Sequence, residues 1–256
     1  MALSHGICRL CGTSGPLLKK SHIIPDFLFR ATDVYDEGHR LLIVHPAEYA
    51  RGLGRVRRPP TAPYDPDILC QRCDGVVLGD YDSYASRLLF EAPPALIPKP
   101  SAVYYKLQEG FGELHITDFD SAKLKLFLLS VLWRAHVSKH DYFTEVDLGQ
   151  YEAEIRAIIF EGRHLHEDDY PMFFLGWREE TFPRSVVSRL ARGRWKGIST
   201  HYLLMFGGLI VQMFVPRVQG SFELSRFKLK AAGPLVIGQL NYEAFGMYFR
   251  NLYPAG

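Results

Sequence analysis

The sequence is poor in cysteine, with four in 256 residues, which excludes a disulfide-rich scaffold. It lacks any run of eighteen apolar residues, so it predicts no membrane span and no membrane partner. Its first residues lack the basic region and apolar core of a signal peptide. A Walker loop, a dinucleotide fingerprint and a Gly-x-Ser-x-Gly elbow are also missing. We therefore expect a cytoplasmic protein with reduced thiols.

The four cysteines form two Cys-x-x-Cys pairs, Cys8 with Cys11 and Cys70 with Cys73. This spacing lets two thiolates bind one side of a tetrahedral metal ion. Four thiolates at about 2.3 Å would close the shell of a zinc ion and leave no position for a substrate, so such a zinc is structural. The alternative is four buried free thiols. We predict one structural zinc that joins two distant chain segments.

The chain is long enough for one large domain or two smaller ones, and a proline-rich stretch near 91–100 suggests a boundary. Residues 1–92 are predicted to form the zinc-binding module, with an insertion over about 31–66. Residues 100–256 are predicted to form an α+β domain of unknown role.

Hydrophobic periodicity and turn residues predict the local structure of both parts. The predicted elements are strands over 17–20, 41–44, 67–69, 172–177, 200–206, 209–215 and 222–229, a hairpin over 101–118, and helices over about 26–30, 74–90, 122–138 and 150–160.

Net charge is only +2, but the basic residues are clustered. Residues 184–230 contain nine Lys or Arg against one acid, Glu223. Such clusters either bind phosphate backbones or form a solvated face, and composition leaves both readings open. The residues predicted to contact nucleic acid are Arg55, Arg57, Arg58, Arg192, Arg194 and Lys196.

A strand ending in Ser21-His22-Ile23-Ile24-Pro25 lies between the two cysteine pairs. A first Cys-x-x-Cys, a His-Ile-x-Pro strand end, a second Cys-x-x-Cys and a polar residue opening a helix resemble the zinc-bearing HNH endonucleases. The resemblance covers roughly residues 5–90. It implies an α+β protein in which a zinc-stapled ββα-metal module, a β-hairpin on a helix, precedes a mixed helix and antiparallel-sheet domain.

The resemblance also implies site residues. His22 would be the general base that takes a proton from the attacking water, a role that suits an imidazole near neutral pH. Asp74 would bind the catalytic Mg²⁺ or another divalent ion. Asp65 would take the place of the family's central Asn, which orients the base, and Asp67 is the neighbouring option.

The sequence departs from the family pattern in two ways. Ser21 stands where many members have a second metal ligand, and Asp74 replaces the last His. Asp80 and Asp82 follow, but on one regular helix Asp82 would lie about 12 Å along the axis from Asp74. Either Asp74 precedes the helix and Asp80 or Asp82 reaches the ion, or Asp74 acts alone.

The expected function is a metal-dependent HNH-like endonuclease that hydrolyses nucleic acid, with DNA as the expected substrate, of the kind found in bacterial and phage defence. One alternative is a non-catalytic zinc scaffold that binds nucleic acid or protein. Another is a sensor whose C-terminal domain controls the N-terminal module. A homo-oligomer or a regulatory partner stays open.

Overall fold

A computed structural model describes most of the chain. Arg55, Arg57, Arg58 and Lys196, the predicted strand over 41–44 and the predicted boundary near 91–100 lie outside the described part. The described residues are 4–30, 61–90, 102–108, 111–177, 187–195, 199–217 and 225–241.

The N-terminal part contains two short antiparallel ribbons and one short helix. In the first ribbon the chain reverses through Gly12, whose positive φ of 73° suits glycine. In the second, Ser21 pairs with Asp65 and His22 with Tyr64. The elements are β1 (Ser4–Ile7), β2 (Ser14–Leu17), β3 (Ser21–His22), α1 (Asp26–Arg30) and β4 (Tyr64–Asp65).

The predicted helix over 74–90 is confirmed, but it is irregular at its start. A π-helical segment, Cys73–Leu78, runs directly into helix α2, Gly79–Leu89. Tyr81 and Ala85 face the core. A π-helical segment inside an α-helix is rare and is often found at functional sites.

A seven-stranded sheet forms most of the C-terminal part. Its order is β5-β6-β11-β7-β10-β9-β8, and every neighbouring pair is antiparallel except β11 with β7. The strands are β5 (Ala102–Gln108), β6 (Phe111–Ile116), β7 (Met172–Trp177), β8 (Ala191–Trp195), β9 (Ser199–Phe206), β10 (Leu209–Val215) and β11 (Leu235–Leu240).

Two further helices follow the first hairpin of this sheet. Helix α3, Ser121–Val137, begins at Asp120, whose side chain accepts from the Lys123 N–H at 2.9 Å. Helix α4, Glu152–Glu161, ends at Gly162 in the left-handed conformation. Both confirm predictions from the 3.6-residue period.

Helix α3 is buried on nearly all sides, whereas its sequence predicted one apolar face. A helix with this burial lies inside a core rather than on its surface. Phe127 of α3 packs on Phe27 of α1, with ring centroids 5.8 Å apart. Phe90, just after α2, packs on Phe206 of β9 at 6.2 Å. Phe27 thus joins the N-terminal part to α3, and Phe90 joins it to the sheet.

The two predicted domains share one hydrophobic core, which runs from Cys8 to Ile237. Hydrogen bonds also join them. The Tyr81 hydroxyl donates to the Ile159 carbonyl at 2.9 Å, and Arg156 donates to the Leu10 carbonyl at 3.1 Å. The described residues on either side of 91–100 thus pack against each other instead of forming separate cores.

The strand predicted over 17–20 is observed instead at Ser14–Leu17, because its pairing with β1 sets its bounds. Two further predicted strands do not form in their described residues. Ser225–Phe227 forms a 3₁₀ turn, and only Lys228 beyond it makes an isolated bridge to the sheet. Residues 67–69 lie beside Leu18 through two backbone hydrogen bonds without forming a regular strand. The predicted insertion over 31–66 also contains β4, whose two residues are too few to show a period.

The other predicted sheet elements within the described part of the chain are confirmed. They include the first hairpin and the strands that became β7, β9 and β10, with Gly207 and Gly208 at positive φ in the turn. No helix among the described residues is both long enough and apolar enough to cross a bilayer.

We predict that His201 makes this fold sensitive to acid. Its imidazole is buried in β9 without a hydrogen-bond partner among the described residues, and burial lowers its pKa to about 4. The unfolded chain takes up the proton near pH 6.5 and the folded chain does not. The free energy of unfolding should therefore fall as pH drops from about 6.5 to about 4, by about 3 kcal/mol in total.

Urea unfolding at several pH values checks this against His201→Leu, which has nothing to protonate. The stability difference between wild type and variant should change by about 3 kcal/mol between pH 7 and pH 4. His164→Leu, at an exposed site, should follow the wild type. Parallel wild-type and His201→Leu curves would contradict the prediction.

Candidate metal centre and adjoining histidine and carboxylates

The four cysteines converge as their spacing predicts. The sulfur atoms of Cys8, Cys11, Cys70 and Cys73 all lie within 4.8 Å of one another. Bonds of about 2.3 Å to a tetrahedral ion would place these atoms about 3.8 Å apart, so the cluster fits such an ion. Among the described residues no other group of three or more His, Cys, Asp or Glu side chains converges in this way.

Local backbone structure holds each pair in place. The first pair lies in the turn between β1 and β2, closed by hydrogen bonds from Cys8 N to Thr13 O and from Gly12 N to Cys8 O. The second pair opens the helical run, where the Asp74 N–H donates to the Cys70 carbonyl at 3.0 Å. The Cys70 N–H donates to Cys8 Sγ at 3.4 Å and joins the two pairs.

The four thiols have different electrostatic environments. Burial raises the pKa of Cys8 and of Cys73. Burial also acts to raise the pKa of Cys11, but hydrogen bonds from Thr13 outweigh it and lower that pKa to about 6. Cys11 is therefore the readiest thiolate, and a bound cation would favour deprotonation of the others. The cluster can hold a metal ion.

His22 lies on β3, close to this centre in sequence but with its own surroundings. Its ring is partly buried, with Nε2 at 3.5 Å from the Thr61 hydroxyl and the ring edge-on to Tyr64. Burial lowers the pKa of His22, and the carboxylate of Asp26 opposes that effect without reversing it. The imidazole is therefore neutral at pH 7 and able to accept a proton.

Asp74 lies in the π-helical segment directly after Cys73 and is partly buried. Burial raises the pKa of its carboxyl, while Arg134 and the Ser21 hydroxyl act to lower it. The Ser21 oxygen is fully buried and makes no well-formed hydrogen bond among the described residues. Asp74 and Ser21 thus offer a partly buried carboxylate and a buried hydroxyl, whose oxygen atoms could hold a cation.

The π-helical segment changes which side of the helical run Asp82 lies on relative to Asp74. A π turn takes up about one residue more than an α turn, because its hydrogen bonds run from i to i+5. One π turn and one α turn together span about eight residues, which is the separation of these two acids. The negative charge of Asp82 accordingly acts on both Asp74 and His22.

Asp82 nevertheless has a partner of its own. Both of its carboxylate oxygens accept hydrogen bonds from Arg134 of helix α3, at 2.8 and 3.0 Å. Asp82, a predicted ion ligand, is held in this bidentate ion pair. Sequence reasoning missed Arg134, although a lone arginine in the apolar run of α3 was the available signal.

The remaining predicted acids also have partners away from His22. Asp65 is buried and its backbone pairs with Ser21, but its side chain does not orient the histidine. The partners are Ser138 Oγ (2.6 Å) and Lys139 N (2.7 Å) for Asp65, the Ser4 hydroxyl for Asp67, and Lys123 Nζ (3.0 Å) for Asp80.

Two of the predicted nucleic-acid-binding residues lie in the described part, Arg192 and Arg194. Both are exposed on β8, the strand at one edge of the sheet, two positions apart and therefore on the same side of it. The positive charge of Arg192 acts on the neighbouring Tyr202.

Comparison with known proteins finds no family model, no curated protein and no solved structure that matches this chain. No relative therefore indicates what this site does, and its own residues define what it can do chemically. A neutral imidazole on β3 can take a proton, and the carboxylate of Asp74 can hold a cation.

We predict that the purified protein carries one metal ion per chain on its thiolates. Cys70→Ser should lose most of that metal and unfold at a lower temperature, because a structural ion contributes its binding free energy to folding. Metal analysis and thermal unfolding check both effects. Ser83→Ala, an exposed position on α2, is the control and should keep the metal. Full metal content in Cys70→Ser would contradict the prediction.

Proposed function

We propose that this protein is a metal-dependent HNH-type endonuclease that hydrolyses phosphodiester bonds of nucleic acid, with DNA as the expected substrate. One observation carries the proposal. Arg134 donates hydrogen bonds both to the His22 carbonyl of β3, at 3.4 Å, and to Asp82 of the helical run that also carries Asp74, at 2.8 and 3.0 Å. A neutral histidine and a cation-binding carboxylate thus share one neighbourhood beside the four-cysteine cluster.

Zinc is the proposed occupant of the cysteine cluster. Four thiolates are soft ligands and, in tetrahedral arrangement, favour zinc over hard cations such as Mg²⁺. With all four positions taken by sulfur, the ion has a structural role. It fixes the start of the helical run that carries Asp74.

His22 is the proposed general base. Its neutral imidazole would accept the proton of the water that attacks the phosphorus, which requires the unprotonated form at working pH. Partial burial keeps that form dominant, since burial lowers the pKa of His22.

Asp74 is the proposed ligand of a catalytic divalent ion, with the Ser21 hydroxyl as a second oxygen. Mg²⁺ commonly binds one or two carboxylates and takes its remaining ligands from water and substrate phosphate, so this small set fits. When bound, such an ion supplies Lewis-acid stabilisation of the charge that develops on the phosphate.

Arg192 and Arg194 are proposed to contact phosphates away from the cleaved bond, together with Lys196, Arg55, Arg57 and Arg58 from outside the described part. Contacts of this kind are independent of sequence, and they position the protein on its substrate.

A second candidate function is a non-catalytic, zinc-stabilised module that binds nucleic acid or protein. The ion pair of Asp82 with Arg134 favours it, because that pair occupies the carboxylate predicted as a further ion ligand beside Asp74. Ser21, in place of an acidic or histidine ligand, favours it as well.

We predict that purified protein cleaves plasmid DNA with Mg²⁺ or Mn²⁺ and not with EDTA. His22→Ala should lower the rate by about 100-fold or more, the usual effect of losing a general base. His164→Ala, at an exposed histidine in the α4–β7 loop, should cleave at the wild-type rate. Zinc content and thermal unfolding of both variants verify that they are folded.

The same assay separates the two candidate functions. Metal-dependent cleavage that His22→Ala retains would refute the role of His22. Equal DNA binding by wild type and His22→Ala, with no cleavage by either, would support the non-catalytic module.

We also predict that Arg192 and Arg194 contribute to DNA affinity by neutralising phosphates. Replacing both with Ala should reduce the slope of log affinity against log salt by about 1 for each phosphate that is no longer neutralised, whatever the DNA sequence. Fluorescence anisotropy at several salt concentrations measures this slope. Arg163→Ala, an exposed arginine paired with Glu161, is the control. An unchanged slope in the double variant would contradict the prediction.

A further inference from the structure

Arg134 is the feature of the site that the proposed chemistry does not use. Its side chain is 2% exposed, in the middle of the apolar core that α3 forms with its neighbours. A buried guanidinium is tolerated only where its charge is paired and its N–H groups are bonded. The partners of Arg134 therefore define what the residue does.

All five N–H groups of Arg134 find an acceptor. Nε donates to the Ser130 carbonyl at 3.3 Å, and Nη2 donates to the Ser130 hydroxyl at 3.1 Å and to Asp82 at 2.8 Å. Nη1 donates to Asp82 at 3.0 Å and to the His22 carbonyl at 3.4 Å. A full set of acceptors fixes the orientation of the planar group.

These acceptors belong to three different elements. Ser130 anchors the guanidinium on its own helix, Asp82 lies on α2, and the His22 carbonyl lies on β3. The residue thus joins the strand that carries His22 to the helical run that carries Asp74. It does so from a helix that belongs to the shared core, beyond residue 100.

We infer that Arg134 is a positioning residue, which holds β3 and α2 in the relative placement that presents His22 to the substrate. The inference rests on the proposed nuclease function. It also means that the first 92 residues do not contain the complete site. Lysine cannot replace the arginine, because its ammonium lacks the planar fork that binds both Asp82 oxygens and the His22 carbonyl together.

The test compares Arg134→Lys with Arg189→Lys in the full-length, metal-loaded protein. Arg189 is also largely buried and pairs with Glu145 at 2.6 Å, so Arg189→Lys makes the same chemical change away from the site. Arg134→Lys should lower kcat on the order of 10- to 100-fold with little change in KM, because displacement of a reacting group by about 1 Å has an effect of this size. Arg189→Lys should keep the wild-type kcat.

A second readout needs no activity. The Ile23 N–H, next to His22, donates to the Pro63 carbonyl at 3.0 Å. Its hydrogen exchange should be faster in Arg134→Lys than in Arg189→Lys when the two variants have equal stability and metal content. Asp82→Asn, which keeps the shape of the partner, should give the same local increase. Asp82→Asn therefore provides the test if substitution of Arg134 itself prevents folding.

The two proposals fail in different ways. A wild-type protein that cleaves nothing under any metal condition refutes the nuclease, and the exchange at Ile23 still decides the role of Arg134. A wild-type kcat in Arg134→Lys, or exchange at Ile23 equal to that in Arg189→Lys, overturns the positioning role.

Discussion

The arrangement around the candidate site depends on one buried ion pair, that of Arg134 with Asp82. Charge in a protein interior is unfavourable unless it is paired, and removing one partner leaves an uncompensated charge that costs several kcal/mol. The burial of Arg134 in helix α3 is therefore favoured by Asp82 of α2 and by the His22 carbonyl of β3, which accept its hydrogen bonds. The pair also occupies both carboxylate oxygens of Asp82.

Two anchors hold the helical run that carries the candidate ligands. Its start is tied by Cys70 and Cys73 to the β1–β2 turn, and its middle is tied by Asp82 to α3. The π-helical segment that carries Asp74 lies between them. Irregular helices of this kind persist where surrounding contacts fix both flanks. The four-cysteine cluster and the ion pair together hold the elements that carry Asp74 and His22, as a functional site requires.

The long elements of this fold could be predicted from the sequence, because each repeats a hydrophobic period several times. Helix α3 and the hairpin of β9 with β10 are such cases. Strand β4 could not, since two residues contain no period and the strand exists only through its pairing with β3. The shared core was also missed, because a proline-rich segment indicates a boundary whether or not its flanks pack together.

Local sequence patterns predicted the four-cysteine cluster, since two Cys-x-x-Cys pairs can meet only around a common ion or in a buried thiol cluster. They also identified His22 and Asp74 as candidates. Only the tertiary structure decided the surroundings of these residues. Arg134 lies 52 positions from Asp82 and 112 from the His22 carbonyl. No local pattern links residues so far apart, and their contact follows from the burial of α3 in the shared core.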